Sequence, residues 1–198
     1  SCAAHGGRFL VARPDIRKME DDLAGTLRKG GVANPHIPER CDLPGLVDRI
    51  VPTLNEGQRI AVLAAISKSI ILITGGAGSG KTFTVSAITD IYDELDLHVT
   101  LTAPTGKAAK RLEEVVNRGA STIHRLLGFN GKDFARGPED PLNTDVVVVD
   151  EVSMVDIPLA WQLFRCIDLT RTAVVLVGDH NQLPPVAPGN LLRDLVQT

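Results

Sequence analysis

The stretch TGGAGSGKT, residues 74–82, contains Gly75-x4-Gly80-Lys81-Thr82, the full spacing of a phosphate-binding loop. Gly75, Gly76, Gly78 and Gly80, with Ala77 and Ser79 between them, let the backbone turn its N–H groups inward onto a β-phosphate. A helix opening near Lys81 adds the positive end of its dipole. Lys81 sets a mobile cation against the β- and γ-phosphates, and the Thr82 hydroxyl is a ligand for Mg²⁺. Phe83 comes next and completes the run expected to touch a nucleotide, with ATP and Mg²⁺ as the cofactors.

VVVVDE, residues 146–151, supplies the second half of such a site. Four apolar residues bury a strand, and Asp150 emerges at its carboxyl end, where α/β sheets bind ligands. Asp150 would hold Mg²⁺ through water, and Glu151 is the natural general base for a water attacking the γ-phosphate. The adjacent Asp–Glu pair favours hydrolysis over transfer to a second substrate, because no acceptor pocket is visible. In LVGDHNQLPPV, Gln182 can hydrogen-bond both the γ-phosphate and the attacking water, a geometry suited to sensing nucleotide state. Asp179 either shares that work or caps the loop, and Pro184-Pro185 stiffens the loop beyond Gln182.

TAPTGKAAKRL, residues 102–112, places a short turn and a basic helix after a strand. Lys107, Lys110 and Arg111 fall on neighbouring helical positions, and the helix start beside Thr105 and Gly106 could bind a backbone phosphate. A charged run is also the ordinary signature of a solvated helix face. STIHRLLG behind it adds His124 and Arg125, with Ser121 as the expected cap. His124 taken alone fits a structural histidine as well as a ligand.

The elements that must position these groups alternate. NEGQRIAVLAAIS is an amphipathic helix capped by Asn55. IILIT, HVTLTA, DVVVVDE and TAVVLVGD are strands, and helices come after the glycine loop, the TAPT turn, the DE pair and the last strand. Such alternation predicts an α/β fold, a parallel sheet flanked by helices in right-handed β-α-β units. Ahead of it, Ile16, Met19, Leu23 and Leu27 carry helical spacing over residues 15–29. ANPHIPERCDLPG then reads as a Pro-rich linker.

Composition narrows the classes. The chain has 198 residues, 43% hydrophobic and 23% charged, ordinary for a globular protein. No apolar window approaches the roughly 20 residues of a spanning helix, so no membrane partner is expected. Three scattered cysteines, Cys2, Cys41 and Cys166, fit a reducing, cytoplasmic setting better than a disulfide framework. A net charge of −3 gives no global nucleic-acid signal, so any such binding needs a local basic face. One Trp and one Tyr leave little for extensive stacking on bases. With no initiator Met, and SCAAHGG in front, the chain is expected to be a piece of a longer protein. Residues 1–50 are then the tail of a preceding domain with its linker, and residues 51–198 the ATPase lobe.

LNEGQRIAV, TGGAGSGKT, TAPTGKAAKRL, STIHRLLG, VVVVDEVSMVD and LVGDHNQLPPVAPGNLLRDL together, in that order over residues 54–198, resemble the RecD-like branch of superfamily 1B DNA helicases. That branch includes the exodeoxyribonuclease V alpha subunit. The resemblance implies an ATP-driven 5′-to-3′ motor on single-stranded DNA, acting in repair and recombination, with two RecA-like lobes of which this is the first. Gln58 matches the glutamine that recognises adenine, and Lys81, Thr82, Asp150, Glu151 and Gln182 match the ATPase residues. Pro104, Thr105, Lys107 and His124 fall in motifs that touch the DNA strand. FNGKDFARGPEDPLNTD fills the interval where the family carries a duplex-splitting hairpin, the pin. Asn130-Gly131 is a tight-turn signal for it, within residues 129–142; an ordinary surface loop is the competing reading. Implied partners are single-stranded DNA, duplex junctions and subunits of a nuclease complex. The family's second lobe carries transition-state arginines, which can be worth about 10³ to 10⁵ in rate. This lobe alone is therefore expected to hydrolyse ATP barely. An RNA helicase or remodelling ATPase, and a nucleotide-controlled interaction subunit without motor activity, remain as alternatives.

Overall fold

Val146 to Val149 are buried on both sides, which no single-faced sheet permits, and layers of helix cover both faces of the strand they form. The computed structural model describes residues 2–5, 8–11, 14–29, 32–38, 40–76, 78–179 and 181–182. Along the chain run β1 (Cys2–His5), β2 (Arg8–Val11), α1 (Pro14–Lys29), α2 (Leu43–Ile50), α3 (Glu56–Ser67), β3 (Ile70–Thr74) and α4 (Lys81–Glu94). Then come β4 (Val99–Ala103), α5 (Gly106–Val116), β5 (Ala120–Thr122), α6 (Ile123–Leu126), β6 (Val146–Val149), a 3₁₀ turn (Val152–Met154), α7 (Ile157–Arg165) and β7 (Ala173–Gly178). The helix expected in GNLLRDLVQ, the Pro184-Pro185 pair and Ala77 lie outside the described residues.

Five strands form one parallel sheet in the order β3-β7-β6-β4-β5. The expected parallel α/β architecture is what the chain adopts. Side chains alternate across it as the pleat requires. Val147, Val149, Val174 and Leu176 point to one face, where they meet Ala160, Leu163 and Phe164 of α7 and Ile16 and Leu23 of α1. Val146, Val148, Val175 and Val177 point to the other, against Val62 and Ile66 of α3, Ile88 and Ile91 of α4, and Leu112 of α5.

The order matters for chemistry. β3, β7 and β6 are neighbours, so the loops leaving their carboxyl ends converge, and β4 delivers α5 from the far side of β6.

Three local features are not evident from the sequence. β1 and β2 pair antiparallel, with Cys2 opposite Val11 and His5 opposite Arg8. The supposed linker contains the start of α2, whose Val47 is fully buried among the α3 and α4 side chains. Here the Leu-Pro-Gly run opens a helix. Asp42 caps it by accepting the Gly45 N–H at 3.1 Å, and a Cβ on Gly45 would collide with that carboxylate. The expected cap Ser121 lies inside β5, and Thr122 does the capping, its hydroxyl accepting the Arg125 N–H at 3.1 Å.

Upstream, residues 32–34 are stitched to the α3–β3 junction. Asn34 N–H donates to Ser67 O at 3.0 Å, and Ser69 N–H donates to Val32 O at 3.0 Å. The buried Tyr92 hydroxyl donates to Ala65 O at 2.9 Å and accepts from Asn34 Nδ2 at 3.2 Å, and burial pushes its pKa upward. This joins the segment before α2 to both α3 and α4.

Candidate nucleotide site

Five helices carry a side-chain cap at their start: α2 (Asp42), α3 (Asn55), α5 (Thr105), α6 (Thr122) and α7 (Asp156). α4 does not. Its N-cap is Gly80, at φ 81°, ψ 20°, with no side-chain hydrogen bond, so the first-turn N–H groups remain for a ligand. That left-handed backbone disfavours any residue with a Cβ. A Cβ there would also lie 2.5 Å from Gln58 Nε2, which would have to shift, so the backbone conformation is what selects glycine. Gln58 thereby sits against the loop. Its Oε1 accepts from Asn55 N–H at 3.1 Å while Asn55 Oδ1 accepts from Gln58 N–H at 2.9 Å, a reciprocal cap that fixes the side chain.

The cavity above α4 is about 280 Å³ and is lined by Gly78 to Phe83, Arg111, Asp150, Glu151, Asp179 and Gln182. Pockets that enclose a whole small ligand run roughly 300–1,000 Å³, so this one suits a polyphosphate with base and sugar outside it. Gln58 lies against Gly80 beside this cavity, and the half-exposed Phe83 is part of its lining. Lys81 Nζ donates to Gly75 O at 2.6 Å and Gly76 O at 2.9 Å, and stands 3.6 Å from Asp179 Oδ2. Asp179 is 3% exposed and also accepts the Asn181 N–H at 2.9 Å. It therefore both holds the lysine and closes the turn.

Asp150 comes directly after β6, half-buried. Burial pushes its carboxyl pKa up; the Glu151 N–H, donating to it at 2.9 Å, pulls it down; the Glu151 charge raises it again, and Lys81 and Arg111 oppose that. Glu151 is held at φ 55°, ψ 42°, a left-handed conformation unusual for a side chain of this kind, and its Oε2 is buried without a hydrogen-bond partner. A strained residue with an unpaired carboxylate oxygen in a cavity is what an acceptor for water would look like. Ser153 in the 3₁₀ turn, 2% exposed, donates its hydroxyl to Gln182 Oε1 at 3.1 Å, so the DE segment and Gln182 are directly connected.

These groups fit a metal–nucleotide complex. Among the described residues no cluster of three or more His, Cys, Asp or Glu side chains is placed to hold a metal unaided. A hydroxyl and a carboxylate, Thr82 and Asp150, line the same cavity, an oxygen donor set of the kind that Mg²⁺ would complete with phosphate and water oxygens.

The proposed strand contacts lie elsewhere. Thr105 Oγ1 accepts the Ala108 N–H at 3.2 Å, capping α5, and Lys107, in the first turn of that helix, is exposed. Pro104 precedes them, half-buried. Lys110, also on α5, is 3.9 Å from Glu114. His124 packs against Phe129, with centroids 5.2 Å apart, and against Phe134 at 5.8 Å. These two phenylalanines bridge antiparallel to each other across a turn in which Asn130 Oδ1 accepts the Lys132 and Asp133 N–H groups, both at 2.9 Å. The Asn130-Gly131 turn is present, closed by one bridged pair instead of a long hairpin.

Two residues in the cavity region have roles that the sequence does not signal. Arg111 reads there as one of the strand-facing basic residues, and nothing in local spacing distinguishes it from Lys110; only the β6–β4 adjacency turns it toward the cavity. Ser153 carries no local signal at all.

An uncapped helix behind a glycine loop, beside an acidic pair at the same carboxyl edge of a parallel sheet, defines a nucleotide-binding P-loop lobe. The chain belongs to the AAA domain family, whose model matches residues 58–188. Within that family it is a first RecA-like lobe of the RecD-like kind. The ATP-dependent RecD2 DNA helicase of Deinococcus radiodurans is 38% identical over 200 residues, covering 98% of this chain and 27% of that protein. The RecBCD enzyme subunit RecD of Haemophilus influenzae is 39% identical over 169 residues, covering 72% of this chain and 26% of that protein. The chain thus spans about a quarter of the length of these relatives. Among solved structures, a Pif1 helicase described in DNA unwinding at forked double-stranded DNA is 26% identical, with a TM-score of 0.49 over 73% of this chain and 37% of that one. No helix among the described residues is long and apolar enough to cross a membrane.

Proposed function

We propose that this chain is the ATP-hydrolysing first lobe of a DNA helicase that moves 5′ to 3′ on single-stranded DNA and opens duplex in repair and recombination. The observation that carries the reading is one cavity that gathers Lys81, Thr82, Asp150, Glu151 and Gln182 from three adjacent strand ends. In this reading the loop from Gly75 to Thr82 and Phe83 holds the nucleotide, with Gln58 at the adenine. Thr82 and Asp150 would hold Mg²⁺, which would supply positive charge against the phosphates. Glu151 accepts the proton of the attacking water. Gln182, its carbonyl oxygen held by Ser153, presents its amide N–H groups to the γ-phosphate. Pro104, Thr105, Lys107 and His124 hold the strand, and residues 129–142 form the pin at a duplex junction. The protein works in the cytoplasm, alone or beside subunits of a nuclease complex; a multisubunit setting is in keeping with relatives named as a RecBCD enzyme subunit. Residues 1–50 are the end of a preceding domain, with α1 and α2 packed on the lobe.

The test uses the full-length protein. ATPase activity stimulated by single-stranded DNA but not RNA, with displacement of a strand from 5′-tailed duplex, supports the reading. Stimulation by RNA favours an RNA helicase, and hydrolysis without displacement favours an interaction subunit. Gln182→Ala should bind ATP nearly as well and lose the coupling of hydrolysis to DNA; coupled turnover at the original rate would remove the sensing role.

A further inference from the structure

We propose that Arg111 recognises the terminal phosphate of the bound nucleotide and connects it, through α5, to the strand-binding turn of the same helix. This rests on the nucleotide reading above and goes beyond it by assigning the link between the two sites.

The placement comes from strand order. Along the carboxyl edge of the sheet come the glycine loop after β3, Asp179 and Gln182 after β7, Asp150 and Glu151 after β6, and then α5 after β4. A nucleotide whose β-phosphate rests on the loop extends its γ-phosphate along this edge toward the acidic pair. Arg111 enters the same cavity from beyond that pair, on the side opposite Lys81. It is therefore within the reach of a third phosphate and remote from the first.

Charge and freedom agree. Lys81 is engaged by two carbonyls and Asp179, whereas Arg111 makes no hydrogen bond or ion pair among the described residues. It is exposed at the cavity mouth, with its cation near Asp150. A planar guanidinium offers two parallel N–H donors to phosphate oxygens, which an ammonium cannot.

The helix supplies the connection. Lys107 and Arg111 are four residues apart, on one face and about 6 Å along the axis. Ala109, Leu112 and Val116 are buried beneath them, and Thr105 caps the start. A pull on Arg111 is thus transmitted to Lys107 through a single packed helix, without a flexible joint between them.

The experiment measures equilibrium binding of fluorescent ADP and of a fluorescent non-hydrolysable ATP analogue to the full-length protein, as wild type, Arg111→Ala and Arg111→Lys. A lost charge-assisted contact is worth about 10-fold or more in affinity. Arg111→Ala should lose that much for the triphosphate and less than about 3-fold for ADP, with Arg111→Lys between. Any change in single-strand affinity on adding the triphosphate should also disappear in Arg111→Ala, because coupling is reciprocal. Equal losses for both nucleotides, or none, overturn the assignment while leaving the nucleotide site standing. A wild type that binds neither nucleotide overturns the site reading, and this inference with it.

Discussion

Replacing Glu151 with glycine separates what this residue costs the fold from what it does for the chemistry. A side chain at φ 55° carries about 1–2 kcal/mol of strain. Its buried, unpartnered Oε2 adds a desolvation cost of about 1–3 kcal/mol. Glycine removes both. Against this stand the extra unfolded-state freedom of glycine, about 0.5–1 kcal/mol, and the lost packing of two methylenes at about 0.8 kcal/mol each. The balance puts Glu151→Gly between about 0.6 kcal/mol less stable and about 3 kcal/mol more stable than the wild type. For a lobe of this size, 1 kcal/mol moves the Tm by about 2–4 °C, so thermal melting resolves the upper part of the range. DNA-stimulated hydrolysis by the full-length variant should meanwhile fall by about 10²–10⁴, the contribution of a positioned base. A variant destabilised by more than about 1 kcal/mol would show that the carboxylate supports the fold and refute the strain argument. A variant that hydrolyses normally would refute the role as base.

Lys81→Ala leaves the buried Asp179 carboxylate without its cation and should cost about 1–3 kcal/mol in chemical denaturation, besides weakening nucleotide binding. Adding Asp179→Asn should restore most of the stability but not the binding, and a cycle without coupling would show that the 3.6 Å pair is idle. Tyr92→Phe loses the bond to Ala65 O and strands the Asn34 amide, so the same measurement should register a loss of about 1–3 kcal/mol. Deleting residues 130–140 from the full-length protein should abolish strand displacement while sparing DNA-stimulated hydrolysis; intact unwinding would end the pin assignment.

Four of the five strands are legible in the sequence because they are continuous apolar runs or bounded by turn residues, and because parallel connections leave few topologies; the three-residue β5, Ala120–Thr122, carries no such run. The phosphate loop and the acidic pair are legible because their chemistry depends on contiguous residues. The features that stay hidden depend on contacts across the fold. Leu43-Pro44-Gly45 looks like a chain breaker, since only the folded-back Asp42 carboxylate reveals it as a helix start. Ser121 and Thr122 are equally good caps on paper, and pairing of β5 with β4 decides between them. Arg111 and Lys110 are neighbours of similar charge, separated only by which way α5 faces β6. Single-sequence periodicity carries no information of that kind.

The turn at residues 130–133 has a practical consequence. Its backbone is closed by the Asn130 side chain and one bond from Asn130 N–H to Asp133 O, at 3.1 Å, above the Phe129–Phe134 pair, whose centroids are 4.8 Å apart. No strand of the main sheet depends on those four residues. A reporter dye or a grafted extension placed between Gly131 and Lys132 would sit on a two-ring aromatic base, so the tip can be varied in length and chemistry without disturbing the sheet, and strand displacement would then report what each variation does to the pin.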